Sequence, residues 1–359
     1  MNILLLGEAD CIHQQRIARG LAREGHTVVF AGLISALIPG VEVINLGDQT
    51  GSTPGIRFIR KVRRLRRIIR DRRIDILHAH YITVYGLLAC LSGSLPKVLT
   101  VHGSDVLLAR AKRYNRIVIR LVSKRMDRIT SPSPEISDAL VALGAPPGCI
   151  ETFQYGVDLD RFHAPDMLRG SPDALRIIST RRLDSLYCVD LLLMALSRMA
   201  CEESVTARIA GGGPLSDKLA HLAWSLQLDD SVRFLGDLDE DAVAEALRGA
   251  DVYVSTCPTD GASLSLLEAM ATGLLPVVPD IPSNREWIRQ GENGLLYKAG
   301  VPDALAEALL EARHEGALRE KARTLNPAII AERACFRTGI QRFTTIYENL
   351  HQAGEGEGR

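Results

Sequence analysis

The chain has 359 residues, of which 46% are hydrophobic, and its 43 basic and 43 acidic residues give a net charge of zero. This length exceeds one ordinary α/β core and suits two domains of about 150–180 residues each. The seven cysteines are scattered without metal-ligand spacing, which disfavours a disulfide framework or a zinc module and favours a reducing, cytoplasmic setting. No apolar run reaches about 18 residues, so the sequence excludes a membrane-spanning helix.

Short apolar strands alternate with helical patterns along the whole chain. In the first half, strands are predicted at 2–6, 27–31, 74–78, 98–101 and 128–130, with helices at 13–23, 57–70 and 114–124. In the second half, strands are predicted at 176–180, 206–210, 232–235, 252–255 and 276–278, with helices at 189–200, 215–226, 241–248 and 263–271. Strands that are apolar along their whole length, with helices between them, indicate parallel sheets covered on both faces.

This alternation predicts two doubly wound α/β domains, the first at 1–165 and the second at 166–335. The stretch 160–173 between them is rich in Pro, Gly and Asp, as linkers are. A final amphipathic helix at about 336–352 is expected to pack back on the first domain, and the polar tail 353–359 is expected to fray. Because ligands bind at the carboxyl ends of parallel strands, a cleft between two facing domains is expected.

The sharpest motif is TDGASLSLLEAMA at 259–271, where a strand leads through a loop into a helix. Ser263 is a preferred N-cap residue, and a helix N-terminus binds anions through its free N–H groups and dipole. Glu268, one turn inside the helix, can accept hydrogen bonds from two neighbouring hydroxyls, as on a ribose. Asp260 can accept from a sugar hydroxyl. The alternative is that Glu268 is a solvated helix acid and Asp260 a turn former.

Two other strand ends in the second half carry residues suited to phosphate. The turn GGGP at 211–214 lets a backbone approach a phosphate closely, although strand-to-helix turns often contain glycine for structural reasons. Arg181 and Arg182 follow the strand at 176–180, and only one of them can face a ligand because side chains alternate along a strand. That guanidinium could clamp a diphosphate, and a surface arginine is the alternative.

The first half carries His78, His80 and His102 near predicted strand ends. No acidic or cysteine ligand completes a metal spacing, so we interpret His102 as a hydrogen-bonding group for a substrate. The D-x-D tripeptides at 158–160 and 237–239 are interpreted as turns and helix caps rather than as metal ligands. We therefore expect neither a metal nor a cofactor.

Taken together, these blocks resemble the retaining glycosyltransferases of family 4, also called group 1, over essentially the whole chain. These enzymes have the GT-B fold, in which two Rossmann-like domains face each other across an interdomain cleft. The matching blocks, in order, are Gly7, GHTV at 25–28, DILHAH at 75–80, HGSD at 102–105, YGVD at 155–158, GGGPL at 211–215, and Asp260 with Glu268 in LLEAMA.

The resemblance implies transfer of a hexose-type sugar from a UDP- or GDP-sugar to a glycan or lipid-linked acceptor, with retention and without a metal. By it, Glu268 would bind the ribose, Asp260 and His102 the donor sugar, and Arg182 the diphosphate. The remaining donor-site residues would be Gly212, Gly213, Tyr187, Gly261, Ala262, Ser263, Leu264 and Ser265. The acceptor side would be lined by Gly7, Glu8 and His13.

Two departures from the family pattern lie in the donor half. The usual G-R-L-x-x-x-K-G is RRLDSLYC at 181–188, so Tyr187 stands where a phosphate-binding lysine is usual. A phenol donates a hydrogen bond but carries no charge. The first acid of the family's E-x7-E is shortened to Asp260. We interpret these changes as marks of a subgroup with another phosphate clamp.

Charge is unevenly distributed, with 23 Lys and Arg against 14 Asp and Glu in residues 1–165. The segment 57–73, from Arg57 to Arg73, holds ten basic residues in seventeen beside an apolar helical face. The simplest interpretation is a helix that covers a sheet and has a solvated basic side. That side is also suited to anionic lipid headgroups, which would make the protein peripheral to a membrane. No recognition motif indicates nucleic acid.

Two other functions remain open at this point. A GT-B-type sugar-nucleotide epimerase or hydrolase would share the architecture and act without an acceptor. A non-catalytic sugar-nucleotide-binding partner is suggested by the changes at Tyr187 and Asp260. A dehydrogenase-like dinucleotide binder is disfavoured because the loop after the first strand lacks G-x-G-x-x-G.

Overall fold

The computed structural model describes residues 1–47, 54–107, 113–165, 175–199, 204–261 and 263–357. The chain forms two compact units, the first comprising Met1–Tyr155 and Arg337–Arg359 and the second Gly156–Phe336. The division lies at 155/156 rather than at the predicted 165/166. Val157 belongs to the second unit because it pairs with Cys335 and its N–H donates to the carbonyl oxygen of Ala334 at 2.8 Å.

The first unit is built on a parallel sheet. Its described strands are β1 (Asn2–Gly7), β2 (Thr27–Gly32), β3 (Glu42–Asn45), β4 (Ile76–His80), β5 (Lys97–Thr100), β6 (Arg128–Ser131) and β7 (Ile150–Thr152). They lie in the order β3-β2-β1-β4-β5-β6-β7. The side chains from Ile3 to Leu6 in β1 are all buried, as expected for a strand covered on both faces.

Helices cover this sheet. In the described part of the first 155 residues they are α1 (Ile12–Arg23), α2 (Pro54–Asp71), α3 (Val84–Cys90), α4 (Ser104–Leu107), α5 (Arg113–Ser123) and α6 (Pro134–Ala142). The end of α2 explains why β4 begins two residues later than the predicted strand 74–78. The N–H of Ile74 donates to the carbonyl oxygen of Ile69 at 2.9 Å and closes the helix. His78 and His80 therefore both lie inside the strand and are fully buried.

The second unit repeats the scheme. Its described strands are β8 (Leu175–Ser179), β9 (Val205–Ala210), β10 (Val232–Gly236), β11 (Val252–Val254), β12 (Leu275–Pro279) and β13 (Leu295–Tyr297). Its described helices are α7 (Val189–Met199), α8 (Ser216–Ser225), α9 (Glu240–Arg248), α10 (Leu264–Ala271), α11 (Pro282–Arg285), α12 (Pro302–His314) and α13 (Gly316–Arg333). The parallel strand order β10-β9-β8-β11-β12-β13 is that of a doubly wound sheet, so both predicted Rossmann-like domains are confirmed.

The final helix α14 (Phe336–Glu357) belongs to the first unit. Its buried face includes Phe343 and Tyr347, and the Tyr347 hydroxyl lies 2.6 Å from Nδ1 of His78 in β4. The prediction of a frayed tail was wrong for 353–357, where the backbone remains helical. Glycines in this stretch weaken a helix by about 1 kcal/mol each relative to alanine, and they do not by themselves end it.

Candidate functional site

Three loops meet at the carboxyl edge of the second sheet, because they follow the adjacent strands β9, β8 and β11. They are the glycine turn Gly211–Gly213, the segment Arg181–Leu183 and the loop that enters α10. This edge is where doubly wound sheets bind their ligands. The structure thus brings together most residues predicted for the donor side.

The glycine turn packs directly on the backbone of the segment after β8. A Cβ atom at Gly211 or Gly213 would overlap the carbonyl oxygen of Arg181 or Leu183, respectively, so only glycine fits either position. The Asp237 carboxylate accepts the Gly212 N–H at 2.6 Å. The Gly212 N–H, expected to serve a phosphate, therefore already has an acceptor. Asp237 holds this turn, and Asp239 caps α9 as predicted, accepting the Ala242 N–H at 2.8 Å.

The N-terminus of α10 is capped as the sequence predicts. The Ser263 hydroxyl accepts the Leu266 N–H at 3.3 Å, and the first N–H groups of a helix, here those of Leu264 and Ser265 among them, have no acceptor within the helix itself. The Ser265 hydroxyl donates to the carbonyl oxygen of Thr180 at 3.4 Å and ties the helix to the end of β8. Gly261 is buried just before the cap, and Ala262 lies outside the described residues.

Glu268 lies on the next turn of α10 and is only 7% exposed. The interpretation as a solvated helix acid does not hold, because a carboxylate is rarely buried without a structural or functional reason. Its position, one turn behind the capped N-terminus, is the one expected for a group that binds vicinal hydroxyls.

Arg181 is a site residue that the sequence analysis left unassigned. Its guanidinium donates to the Asp260 carboxylate at 2.6 Å and to the Ser263 hydroxyl at 2.5 Å. Burial is the largest single influence and works against the charged form, but the Asp260 carboxylate, together with Tyr253, Cys257 and Tyr187, raises the pKa of Arg181. Asp260 is thus more than a turn former, since it is half of a buried ion pair beside the α10 cap.

Arg182 is exposed, whereas Arg181 is buried. Its assignment as the diphosphate clamp remains a prediction. Tyr187 ends a short 3₁₀ turn, and its carbonyl oxygen accepts the Thr256 hydroxyl at 2.7 Å. The Arg181 guanidinium lies 4.5 Å from the centre of the Tyr187 ring, a cation–π contact. Partial burial raises the pKa of Tyr187, and the nearby Arg181 opposes this shift.

In the first unit, His102 follows β5 in a turn organised by Asp105. The Asp105 carboxylate accepts the N–H groups of His102 at 2.9 Å, Gly103 at 3.0 Å and Ile82 at 2.9 Å. Burial raises the pKa of Asp105, while these backbone N–H groups act in the opposite direction. The HGSD block therefore has a structural cause, because its acid fixes the loop that carries His102.

The three histidines form a chain across β4 and β5. Nδ1 of His80 lies 3.1 Å from Nε2 of His102, and the rings of His78 and His80 stack at 4.6 Å. Burial lowers the pKa of His78 to about 3 and that of His102 to about 4, and it lowers the pKa of His80 as well. His102 is therefore a neutral hydrogen-bonding group at neutral pH. Among the described residues, no group of three His, Cys, Asp or Glu could hold a metal ion.

The predicted acceptor residues surround the loop after β1. The Gln14 side chain accepts the Glu8 N–H at 2.8 Å and lies so close to Gly7 that a Cβ there would overlap it. Burial raises the pKa of Glu8. The ring of Tyr155 lies 6.2 Å from that of His13 and 6.1 Å from that of His102. The structure thus brings together the acceptor residues and His102, and it adds Gln14 and Tyr155, which single-sequence patterns did not mark.

The surface of the first unit is basic where the sequence predicted it. A cavity of about 460 Å³ is lined by Ile44, Arg60, Arg63, Arg64, Arg67, Ile68, Asp71 and Arg72. The helix α5 exposes three large apolar side chains at a helical spacing, Tyr114, Ile117 and Leu121. Within the described residues, no helix is both long and apolar enough to cross a membrane.

Comparison with known proteins gives the class. Residues 12–161 match the family described as Glycosyltransferase Family 4, and residues 169–326 match Glycosyl transferases group 1. The chain is 30% identical to a phosphatidyl-myo-inositol mannosyltransferase of Mycobacterium leprae, covering 76% of this chain and 73% of that protein. It is 27% identical to a D-inositol 3-phosphate glycosyltransferase of Streptosporangium roseum, covering 89% of this chain and 82% of that protein.

Solved structures share the fold. The chain is 17% identical to Anabaena Alr3699/HepE in complex with UDP-glucose, with a TM-score of 0.83 over 97% of this chain and 100% of that one. A glycosyltransferase from Rickettsia africae gives a TM-score of 0.83 at 15% identity, covering 97% of this chain and 98% of that one. The protein is therefore a glycosyltransferase of the GT-B type. It belongs to the group 1 glycosyltransferases of family 4.

Proposed function

We propose that this enzyme transfers a hexose-type sugar from a nucleoside diphosphate donor to a glycan or lipid-linked acceptor, with retention of the anomeric configuration and without a metal ion. The observation that carries the proposal is the cluster at the carboxyl edge of the second sheet. A capped helix N-terminus, a buried carboxylate one turn behind it and a buried Arg181–Asp260 ion pair lie within one loop system.

The donor would lie across this edge in a definite order. Glu268 would accept hydrogen bonds from two ribose hydroxyls, and the diphosphate would meet the N–H groups of Ser263, Leu264 and Ser265. Asp260 would accept from hydroxyls of the donor sugar, and Arg182 would reach the diphosphate from its exposed position. A helix N-terminus and an arginine stabilise negative charge without a metal.

The reaction breaks the bond between the sugar C1 and the diphosphate oxygen and forms a bond from C1 to an acceptor oxygen. The departing nucleoside diphosphate takes the bonding electrons, and one of its phosphate oxygens can accept the proton that the acceptor hydroxyl loses. Groups placed beforehand where the negative charge develops lower the barrier most. The α10 N-terminus and the nearby cationic side chains are such groups. His102, neutral and held by the Asp105 turn, would contact the donor sugar.

The acceptor would bind the first unit beside Gly7, Glu8 and His13. Two named relatives act on inositol-bearing acceptors, one of them a phosphatidyl lipid. The arginine-lined cavity on α2 and the apolar stripe on α5 are suited to an anionic lipid surface. We therefore include peripheral binding to anionic membranes in the proposal.

A thermal-shift screen of UDP- and GDP-sugars tests the donor. A ligand that binds the folded state raises the melting temperature with its concentration, by RT ln(1 + [L]/Kd) in free energy. We expect one nucleotide series, and its free diphosphate, to stabilise the enzyme, while the matching nucleoside alone has a weaker effect. If no nucleoside diphosphate or sugar nucleotide shifted the melting temperature, the proposal would be wrong.

A further inference from the structure

The cation nearest the α10 cap is Arg181, not the residues expected to hold phosphate. Its side chain is 8% exposed, yet it carries a full charge at the carboxyl end of β8. Its backbone carbonyl oxygen packs closely against Gly211, so the glycine turn holds the backbone of Arg181 in place. Its guanidinium bonds two residues of the candidate donor site, Asp260 and Ser263.

Arg181 has more hydrogen-bonding capacity than its described neighbours use. The guanidinium carries five N–H donors, and Nε, although buried, has no acceptor among the described residues. Leaving a buried charged donor unsatisfied is costly. Because Nε is inaccessible, a second anionic partner beside Asp260 would have to contact the small part of the side chain that stays exposed.

The Tyr187 ring stabilises the positive charge at position 181. The ring lies 4.5 Å from the guanidinium, and the Thr256 hydroxyl fixes the backbone of Tyr187. A lysine at position 187 would place a second cation within a few ångströms of the first, where the two would repel each other. Positive charge at both positions is therefore unfavourable, and in this chain position 187 carries an aromatic ring that supports Arg181.

We propose that Arg181 is a second diphosphate-binding cation of the second unit beside Arg182, standing in for the lysine usual at position 187 with the Tyr187 ring as its platform. This inference rests on the proposed nucleoside diphosphate donor. The ligand group that Arg181 recognises is the pyrophosphate, whose oxygens match a guanidinium better than they match a phenol. Asp260 holds the Arg181 side chain in place and partly neutralises its charge.

An exchange of the two residues tests this assignment. The variants are Arg181→Gly, Tyr187→Lys and the double variant, with binding of UDP and GDP measured by calorimetry. Each single variant should bind the preferred diphosphate at least about tenfold more weakly, equal to about 1.4 kcal/mol. The first lacks the cation, and the second sets two cations against each other. The double variant should recover most of the loss, because it again has one cation at this place.

Two controls separate charge from packing. Tyr187→Phe keeps the ring and Tyr187→Leu removes it, so the phenylalanine variant should bind the diphosphate more tightly than the leucine variant, since the ring face makes the contact. If Arg181→Gly does not fold, Arg181→Lys and Arg181→Met are compared, and only the lysine variant should retain measurable binding. Each variant is checked by circular dichroism before calorimetry.

The outcomes are distinct from those of the donor screen. If the unaltered enzyme binds no nucleoside diphosphate, the proposed function fails and the exchange is not needed. If the unaltered enzyme binds, but Arg181→Gly or Arg181→Met binds equally well, Arg181 is not the diphosphate cation. A double variant that binds no better than Arg181→Gly would show that the charge cannot be exchanged between the two positions, which also overturns the inference.

Discussion

Glu268 occupies a position in α10 where a rigid helix would favour ligand binding. It is buried one turn inside α10, and the helix start in front of it is fixed by the Ser263 cap. A carboxylate in such a place is preorganised, because the helix rather than a flexible loop sets its position. The same rigidity makes it sensitive to small changes in chemistry.

The first prediction concerns this side chain. Glu268→Gln keeps its size but replaces a charged acceptor of hydroxyl groups with an amide, and hydrogen bonds to charged groups contribute about 1.5–3 kcal/mol each. We expect affinity for the preferred nucleoside diphosphate to fall at least about tenfold, with a matching fall in kcat/KM.

Glu311→Gln is the matched control, since Glu311 is an exposed acid on α12 of the same unit. It should bind and turn over like the unaltered enzyme. Unchanged nucleotide affinity in Glu268→Gln, measured by calorimetry, would remove Glu268 from the donor site.

Elements meet most tightly where the glycine turn after β9 lies on the segment after β8. The Leu183 N–H donates to the carbonyl oxygen of Gly212 at 2.9 Å, and the Leu215 N–H donates to the carbonyl oxygen of Leu183 at 3.0 Å. Two loops from adjacent strands are thereby joined by backbone hydrogen bonds. Arg181 belongs to the segment after β8, so the same hydrogen bonds help to hold its backbone in place.

Gly213→Ala should destabilise the second unit. The added methyl would overlap the carbonyl oxygen of Leu183, and overpacking of this kind costs about 1–3 kcal/mol. The measurement is the free energy of unfolding in urea. Gly316→Ala is the control because its Cβ would meet only a distant arginine terminus, at 3.6 Å. A Gly213→Ala variant as stable as the Gly316→Ala variant would contradict the packing described for this turn.

The histidine chain predicts a dependence of stability on pH. The pKa of His78 is lowered to about 3 from an ordinary 6.5. As pH falls below about 6.5, His78 therefore takes up a proton in the unfolded chain but stays neutral in the folded chain. Stability should therefore decrease from about pH 6.5 towards pH 3, by up to about 1.4 kcal/mol per pH unit for each such histidine. His78→Asn should make this decrease shallower in urea unfolding across the mildly acidic range. An identical slope in both proteins would show that His78 does not contribute.

The sequence predicted the long, fully apolar strands and the amphipathic helices well, because their periodicity is strong. It missed β3 and β7, which are short edge strands, and β13, which has three residues. It also missed α3 and α6, whose short apolar runs lack a clear period. Boundaries shifted where a helix end competed with a strand start, as at Ile74.

The strand, loop and helix that carry Asp260, Ser263 and Glu268 were predicted because they are contiguous in the sequence. Arg181 was missed because alternation shows that one of two arginines faces the site without showing which one. The available signal was a pair of departures from the family pattern, with arginine in place of glycine at 181 and tyrosine in place of lysine at 187. Gln14 and Tyr155 carried no signal, since only the fold brings them beside Gly7 and His102.

On the scale of the whole molecule, the first unit carries both a dense run of basic residues and an exposed apolar stripe. The segment 57–73 carries ten basic residues in seventeen, and α5 exposes Tyr114, Ile117 and Leu121. Basic side chains near an anionic surface contribute about 1 kcal/mol each, and apolar side chains add to this when they enter the interface.

We expect the enzyme to sediment with phosphatidylcholine vesicles that contain phosphatidylserine, and not with phosphatidylcholine alone. Arg63→Glu/Arg67→Glu should reduce this binding by more than about tenfold, since each residue contributes about 1 kcal/mol and the reversal adds repulsion. Lys218→Glu/Arg233→Glu, the same change on the exposed surface of the second unit, should leave it intact. Sedimentation that depends on neither anionic lipid nor salt would refute membrane binding.

The course of the chain has a consequence for how the protein is made. The helix α14 fills the first unit from the C-terminus, while Val157 and Cys335 join the two ends of the second unit. During synthesis, the first unit therefore cannot complete its core around Phe343 and Tyr347 until the whole of the second unit has been made. Until then, His78 lacks the Tyr347 hydroxyl that lies 2.6 Å from its Nδ1 in the folded protein.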